Sequence, residues 1–350
     1  MSSNAYKSFN RLSTPQTEPI PFEKQVVNAA GGYSYELDNW KALERFLMLG
    51  SEGGTYYVNE KALTLQAAVH TLACIAEDGR KAVDIIAQVS DQGRAPKNDP
   101  AIFALALAAA AKDLETRCYA LGKLQTVCRI PTHLFHFLVY IKGQRGWGRG
   151  LKRAVADWYN QMPVDKLAYE LVKYQGRDGW TNRDALRKAH PKVLDANPQR
   201  NNVYKWAVSG WQDIWEQGRA VPSIIEGFEL AKAFGNDPKS AHPSGDRETA
   251  YLIRKYGLTR EMLPTSALTE RDVWAALLEK MPYTAMLRNL GNMSKVGLVK
   301  PLSDASMTVA QRLADSDLIR KARVHPIAIL LASKTYSQGH GIKGKGEWNA

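Results

Sequence analysis

Apolar residues recur at three- and four-residue spacing through most of the chain from about residue 38 onward. That spacing places them on one face of an α-helix. The clearest early segments are LDNWKALERFLMLG, NEKALTLQAAVHTLACIAED, RKAVDIIAQVS and DPAIFALALAAAAK. Segments with the alternating β-branched and aromatic residues of a half-buried strand are missing from the sequence. The pattern therefore predicts an all-α fold with very little strand.

Residues that favour helix N-termini stand before several of these segments. A short polar side chain accepts a hydrogen bond from the first turn, and an acid three positions later completes a capping box. The predicted helix starts are at Asn59, at the Asp99-Pro100 pair, at Thr181 with Asp184, at Thr269 with Asp272, and at Ser303 or Asp304.

The spacing of the helices indicates a repeat. Helices joined by short Gly, Pro or Asn linkers at roughly 40 residues per pair are typical of a HEAT-like stack. Residues 1–30, with prolines at 15, 19 and 21, are predicted to form an extended N-terminal arm, and residues 31–348 to form the helical array. We interpret the polar interval from Gly235 to Asp246 as a loop rather than a domain boundary.

Charge narrows the choice of partner. The formal net charge is +12 and the pI is near 9.4, which favours a polyanion: RNA, DNA or an anionic membrane. The chain has neither a long apolar run nor an apolar leader, so we expect a cytoplasmic protein without membrane spans. The odd set of Cys74, Cys118 and Cys128 is predicted to be reduced and buried in the core.

The first dense cationic segment is IKGQRGWGRGLKRAVADWYN. Its glycines allow close approach of a ligand, and arginine offers forked donors to phosphate. The candidate RNA contacts in it are Arg149, Lys152 and Arg153. The alternative is a glycine-rich turn followed by a helix with merely solvated cations, and with Trp147 and Trp158 in the core.

The second cationic segment is LVKYQGRDGWTNRDALRKAHPK. A helix continuing through Lys173 and Arg177 would point both toward one surface, and Arg183 and Arg187 repeat that spacing. Two such ridges would form a track for an RNA backbone. The cations of this segment are Lys173, Arg177, Arg183, Arg187, Lys188, His190 and Lys192. His190 precedes Pro191, and taken alone it is better explained as a helix cap than as an RNA contact.

Catalytic patterns are weak in this sequence. His133 and His136 stand three apart, but no Cys, Asp or Glu follows at a supporting spacing for a metal. A glycine-rich phosphate loop is missing as well. We therefore predict no catalytic residue, no metal and no cofactor. Two alternatives stay open: an RNA-processing enzyme that uses these histidines or His190 as acid or base, and a protein-interaction solenoid.

Eleven short phrases resemble the Ro ribonucleoprotein autoantigen (TROVE-domain) family, among them CRIPTHLFHFL, GWGRGLKRAVADWYN, KYQGRDGW, LRKAHPK and GHGIKGKGEW. They follow one another from about residue 16 to residue 348. The resemblance implies HEAT-like pairs closed into a ring. It also implies Y RNA binding on the outer surface at Lys173, Arg177 and His190, and single-stranded 3′ ends of aberrant RNAs in the cavity. Arg288, Asn289 and Asn292 in MLRNLGNM are the candidate cavity contacts.

The resemblance carries further expectations about partners. Bacterial members act with a Y RNA that tethers them to polynucleotide phosphorylase, which implies a role in RNA quality control. Family members usually continue into a von Willebrand factor A domain with a metal site, whereas this sequence stops at GKGEWNA. The resemblance therefore implies a bacterial-type member without that domain in the given sequence, either a natural ring-only form or a shortened form of a longer protein.

Overall fold

The structure, a computed structural model, describes residues 18–20, 24–28, 31–35, 37–50, 60–193, 198–234, 247–322, 324 and 326–337. Helices dominate these residues, as the apolar spacing predicts. The chain divides into two compact units. The first comprises Met1–Arg129 with His136–Gly150, and the second comprises Ile130–Phe135 with Leu151–Ala350.

The first unit begins with a short antiparallel ribbon of β1 (Gln25–Val27) and β2 (Tyr33–Tyr35), and helices α1 to α6 follow it in the sequence. Part of the predicted N-terminal arm therefore pairs as a strand. The helices are α1 Asn39–Leu49, α2 Glu60–Glu77, α3 Gly79–Asp91, α4 Asp99–Ala109, α5 Leu114–Gly122 and α6 Leu124–Val127. Helix α7, Pro131–Gln144, supplies residues to both units.

Each helix of the first unit packs on its neighbours along the chain. Helices α1 to α5 pack consecutively, and α2 with α4 and α3 with α5 pack across one position. This is the pattern that stacked helical pairs produce. Ile86, Ile102 and Leu105 are fully buried between them, and the Phe103 ring meets Phe46 and Tyr140 edge-on. Burial of these apolar side chains is the main contribution to the stability of this unit.

The second unit continues the helical series. Its helices are α8 Arg149–Asn160, which begins in the first unit, α9 Val164–Lys173, α10 Asn182–Ala189, α11 Pro198–Ser209, α12 Trp211–Glu216, α13 Ser223–Phe234, α14 Glu248–Tyr256, α15 Arg271–Lys280, α16 Tyr283–Lys295, α17 Asp304–Ala314, α18 Ser316–Ala322 and α19 Pro326–Tyr336. A second ribbon pairs β3 (Gly176–Arg177) with β4 (Trp180–Thr181). Single turns of 3-10 helix occupy Arg260–Met262 and Thr265–Thr269.

Large aromatic side chains fill the core of the second unit. Trp158, Tyr159 and Trp274 are almost completely buried, and the rings of Trp158 and Tyr159 meet edge-on with centroids 4.9 Å apart. Buried Arg200 donates from its guanidinium to the carbonyls of Tyr159 and Met162, which ties α11 to the end of α8. These two hydrogen bonds satisfy polar groups that burial removes from water. Helix α9 packs on α11 and α13, and α13 packs on α14.

Most of the predicted helix starts are confirmed. Helix α4 begins at Asp99 with Pro100 in its first turn, and Thr181 with Asp184 forms a complete capping box. Ser303 caps α17 by accepting from the Ser306 amide. The box at Thr269 is wrong: α15 begins at Arg271 after Glu270, and the Thr269 hydroxyl donates to the Ser266 carbonyl instead. Asn59 and the interval 235–246 lie outside the described residues.

The cysteines are correctly predicted as free, but not all of them are buried. Cys74 and Cys128 lie in the core, where burial raises the pKa of both thiols, to about 11 for Cys74. Cys118 is exposed on α5, so its assignment to the core was wrong. The buried residues of helix α5 are Thr116 and Ala120, so the spacing of large apolar residues did not define its buried face.

Among the described residues, no helix is both long enough and apolar enough to cross a bilayer.

Candidate nucleic-acid interface

Lys173 and Arg177 belong to different elements. Helix α9 ends at Lys173, and the chain then forms a tight hairpin in which Arg177 pairs with Trp180. Asp178 and Gly179 form its turn with φ of 52° and 76°, and such a two-residue turn with positive φ suits the twist of the strands. The expectation of one helix through Lys173 and Arg177 was therefore wrong. The Asp-Gly pair is a hairpin signal that the helical interpretation overlooked.

A buried asparagine holds the end of α9 against α10. The Asn182 side-chain amide donates to the Tyr174 carbonyl at 2.6 Å, and its oxygen accepts from the Tyr159 hydroxyl at 2.9 Å. Asn182 is the first residue of α10, and Tyr159 lies near the end of α8. Three helices thereby meet at one side chain, and the hairpin that carries Arg177 is closed between two of them.

Helix α10 presents a stripe of cations to solvent. Asn182, Ala185, Leu186 and Ala189 form its buried face. Arg183, Arg187 and His190 are exposed at the i, i+4 and i+7 positions, which share a face of a helix, and Lys188 is exposed beside them. Among the described residues, Arg183 and Arg187 have no carboxylate partner. The predicted ridge of Arg183 and Arg187 is thus present on α10.

His190 caps helix α10, as the sequence taken alone predicts. It ends α10 in the left-handed conformation, with φ 49° and ψ 58°, and its backbone amide donates to the Leu186 carbonyl at 2.9 Å. Its imidazole remains exposed. The backbone therefore caps the helix while the side chain is accessible to a ligand.

Two tyrosine rings flank the ammonium group of Lys173. Its Nζ lies 5.3 Å from the ring centroids of Tyr169 and Tyr174 and 3.3 Å from the Tyr169 hydroxyl. Burial alone would lower the pKa of Lys173, but Tyr174, Tyr169 and the Glu261 carboxylate outweigh it and raise that pKa. Lys173 is therefore charged and held in position. Tyr169 was not singled out in the sequence, although its four-residue spacing from Lys173 was visible.

The cations at the start of α8 are also exposed. Leu151, Val155, Trp158 and Tyr159 form the buried face of this helix. Arg149 and Lys152 are exposed and have no ion pair among the described residues, while Arg153 has its Nε 3.8 Å from the Asp157 carboxylate. Trp158 is buried, as the alternative of a turn and a helix with solvated cations predicts, whereas Trp147 is only half-buried. RNA contact by the three cations remains a prediction. Arg149 belongs to the first unit and the two other cations to the second.

The three candidate cavity contacts on α16 differ in their exposure to solvent. Arg288 and Asn292 are exposed, whereas Asn289 is buried. The Asn289 amide donates to the Ala285 carbonyl at 2.8 Å, and its oxygen accepts from Asn292 at 3.3 Å. The expectation that Asn289 contacts RNA therefore needs correction, since its side chain is engaged within its own helix.

One histidine of PTHLFHFLVY, His136, has a carboxylate partner. The His136 Nδ1 lies 2.7 Å from the Asp99 carboxylate in the first unit. This contact ties α7 to the start of α4, which is a packing role. Across the described part of the chain, no three His, Cys, Asp or Glu side chains converge as metal ligands would.

Comparisons with known proteins agree with the resemblance. The TROVE domain matches residues 26–219 and 252–341. The chain is 38% identical over 347 residues to the RNA-binding protein RO60 of Deinococcus radiodurans, which covers 99% of this chain and 62% of the relative. It is 30% identical over 391 residues to the RNA-binding protein RO60 of Caenorhabditis elegans, which covers 93% of this chain and 60% of the relative.

The fold has a solved counterpart. The crystal structure of the Deinococcus radiodurans RO (RSR) protein superposes with a TM-score of 0.69 at 35% identity, over 89% of this chain and 60% of that one. The chain thus spans about three fifths of the length of these relatives. The matched TROVE segments include the β3–β4 hairpin, α10 and all of α16 to α19. The chain belongs to the TROVE-domain family of Ro proteins.

Proposed function

We propose that this chain is a non-enzymatic RNA-binding protein whose main contact surface comprises the end of α9, the β3–β4 hairpin and α10. The observation that carries the proposal is the exposed stripe of Arg183, Arg187 and His190 beside Lys173 and Arg177. Arg183 and Arg187 lack carboxylate partners among the described residues, so they can bind phosphate without first breaking an ion pair. The two relatives compared above are both named as RNA-binding proteins.

The likeness to the Ro family supports a finer proposal. The RNA on this surface is a Y RNA or a Y-like non-coding RNA, and the single-stranded 3′ end of a misfolded RNA enters the cavity of a ring. Arg288 and Asn292, exposed on α16, are the proposed contacts for that end, since arginine and amide groups bind a strand without fixed sequence. The RNA then tethers the protein to polynucleotide phosphorylase in RNA quality control.

The central test is a double substitution, Lys173→Ala with Arg177→Ala. Two charge-assisted phosphate contacts are lost together, so affinity for a labelled RNA hairpin with a single-stranded 3′ tail should fall about 10- to 100-fold. The slope of log affinity against log salt should also become shallower by about 1.4 to 1.8, because each phosphate contact releases counterions. Fluorescence anisotropy across a salt series measures both quantities.

The matched control is Lys112→Ala with Lys280→Ala. Both lysines are exposed and lie outside α9, the β3–β4 hairpin and α10, so the control removes the same net charge away from the proposed surface. Its affinity should stay within about threefold of the unmodified chain, the effect of a distant charge screened by salt. Equal losses in both double variants would show that only net charge matters and would refute the proposed surface.

A further inference from the structure

A short pattern occurs twice in the second unit. The sequence YELVKY begins at Tyr169, and YLIRKY begins at Tyr251. Each has a lysine preceded by a tyrosine four residues earlier and followed directly by another tyrosine. Each lysine also lies in the last turn of its helix, Lys173 in α9 and Lys255 in α14. A helix brings positions i and i+4 to one face, so the pattern sets the lysine beside the first ring.

The structure gives both lysines the same surroundings. The Nζ of Lys255 lies 5.6 Å from the Tyr251 ring centroid and 5.0 Å from that of Tyr256. The corresponding distances for Lys173 are 5.3 Å to each of its tyrosines. All four lie within the roughly 6 Å over which a cation is attracted to an aromatic ring. Lys255 is exposed, and its two tyrosines are half-buried, so the group is accessible to a large ligand.

Neighbouring charges leave the Lys255 ammonium available. The adjacent Arg254 is engaged, since its Nε donates to the Glu279 carboxylate at 2.8 Å. Lys255 has no carboxylate partner among the described residues. A charged, ring-flanked lysine that is not neutralised by an acid is suited to bind a phosphate.

The position of Tyr256 is fixed from inside the molecule. Gly227 of α13 lies under its ring, and a Cβ on that glycine would come within 2.3 Å of the Tyr256 Cγ. The ring therefore packs directly on the backbone of α13, which holds one wall of the Lys255 group in place.

Both lysine groups belong to one region of the second unit. Helices α9 and α14 both pack on α13. Helix α9 also contacts the 3-10 turn Arg260–Met262, which follows α14. Glu261 of that turn acts electrostatically on Lys173. The end of α9 and the end of α14 are therefore linked through α13 and the turn that carries Glu261.

We propose that Lys255, flanked by Tyr251 and Tyr256, is an additional RNA-binding position that binds a backbone phosphate while a tyrosine ring stacks on an unpaired base. Stacking on an aromatic side chain accepts any base, and lysine supplies the charge that the backbone requires. This inference rests on the proposed function, because it extends the same surface from α9 to α14.

The test uses the full chain and the labelled RNA hairpin with a single-stranded 3′ tail. Lys255→Ala should lower affinity about 5- to 10-fold and make the salt slope shallower by about 0.7 to 0.9, as loss of one phosphate contact requires. Lys255→Arg should retain the slope. Tyr251→Leu should lower affinity for the tailed RNA with an unchanged slope, since it removes a ring and no charge. The control Lys280→Ala removes an exposed lysine from the last turn of α15 and should change neither.

The outcomes separate this inference from the proposed function. Unmodified chain that shows no salt-dependent RNA binding would refute the proposed function itself. Binding that is weakened by the Lys173 and Arg177 double substitution but not by Lys255→Ala would overturn only the inference about Lys255. Weaker binding by Lys255→Ala with an unchanged slope, or together with a lowered unfolding temperature, would also overturn it, since either result indicates a structural role.

Discussion

The Asp178 carboxylate lies close to the Arg177 guanidinium in the β3–β4 hairpin. The Arg177 Nε lies 3.6 Å from the Asp178 carboxylate, and both side chains are largely exposed, so the pair contributes little to stability. A phosphate that binds Arg177 has to displace this carboxylate or approach beside it. The hairpin turn thus holds an acid next to the cation that is proposed to bind RNA.

Asp178→Asn should therefore raise RNA affinity by about threefold, which is the effect of removing one exposed carboxylate from a binding site. Asparagine accepts the positive φ of 52° at this position as readily as aspartate, so the turn is retained. Anisotropy titration with the RNA hairpin measures the change. Asp165→Asn, in the first turn of α9, makes the same change in net charge at the opposite end of that helix and should have little effect. Equal gains in both variants would contradict a local competition.

At the residue scale, the sequence predicted which charged residues cluster better than it predicted what each side chain contacts. Clusters of Lys and Arg are visible in any sequence, and those of the proposed RNA-binding surface are exposed except for Lys173, which is half-buried. The ring partners of Lys173, the engagement of Asn289 and the exposure of Cys118 depend on which helix face is buried. That face is set by packing between elements distant in sequence, which spacing within one helix does not specify.

Among the elements, helix α10 depends on its first turn. Thr181 accepts from the Asp184 amide at 3.2 Å, and Asp184 accepts from the Thr181 amide at 3.1 Å. The helix has only eight residues, and an isolated helix of that length is not stable in water. The capping box and the Asn182 bonds hold the stripe of Arg183, Arg187 and His190 in place.

Thr181→Ala should lower the free energy of unfolding by about 1 kcal/mol, the usual cost of a lost helix cap. Thr269→Ala is the matched control, because Thr269 has the same sequence signal but caps no helix in the structure. It should cost about half as much or less, from the loss of one exposed hydrogen bond. Urea unfolding followed by circular dichroism compares the two variants. Equal costs would show that the Thr181 box does not stabilise α10.

The long helices were predicted, and the hairpin was missed although its Asp178-Gly179 pair is a turn signal. Long helices have apolar residues over several turns, so α1 to α4 follow from spacing alone. The β3–β4 hairpin has two residues per strand, too few for an alternating pattern to be recognised. The predicted box at Thr269 was wrong for another reason. Thr269 ends a 3-10 turn, and Glu270, the next residue, is the N-cap of α15.

For the molecule as a whole, Glu170 links stability to pH. It is buried in α9, and its Oε2 has no hydrogen-bond partner among the described residues. Burial raises the pKa of Glu170 above its ordinary 4.5, although Lys173 and Lys166 act in the opposite direction. The folded chain therefore holds the proton more tightly than the unfolded chain. The contribution of Glu170 to the free energy of unfolding is therefore largest at pH values below its pKa in the unfolded chain. That contribution is lost as pH rises through its pKa in the folded chain.

Glu170→Gln should consequently raise the free energy of unfolding at neutral pH by about 1 kcal/mol, because an unsatisfied buried charge is removed. The gain should vanish as pH falls below 4.5, where the carboxyl is protonated in both states. Urea unfolding at several pH values tests this. Glu226→Gln, at an exposed first-turn position of α13, should instead be neutral or slightly destabilising. A gain from Glu170→Gln that is independent of pH would rule out ionisation as its cause.

The close packing at Gly227 limits which substitutions this position can accept during evolution. Gly227 is buried in α13, where a bound RNA would not contact it. Any larger residue there would nevertheless push Tyr256 outward from α13. If Tyr256 stacks on RNA as proposed, selection for RNA affinity acts on a position that RNA never reaches. A mutation there would alter recognition while leaving every cation of the surface in the sequence.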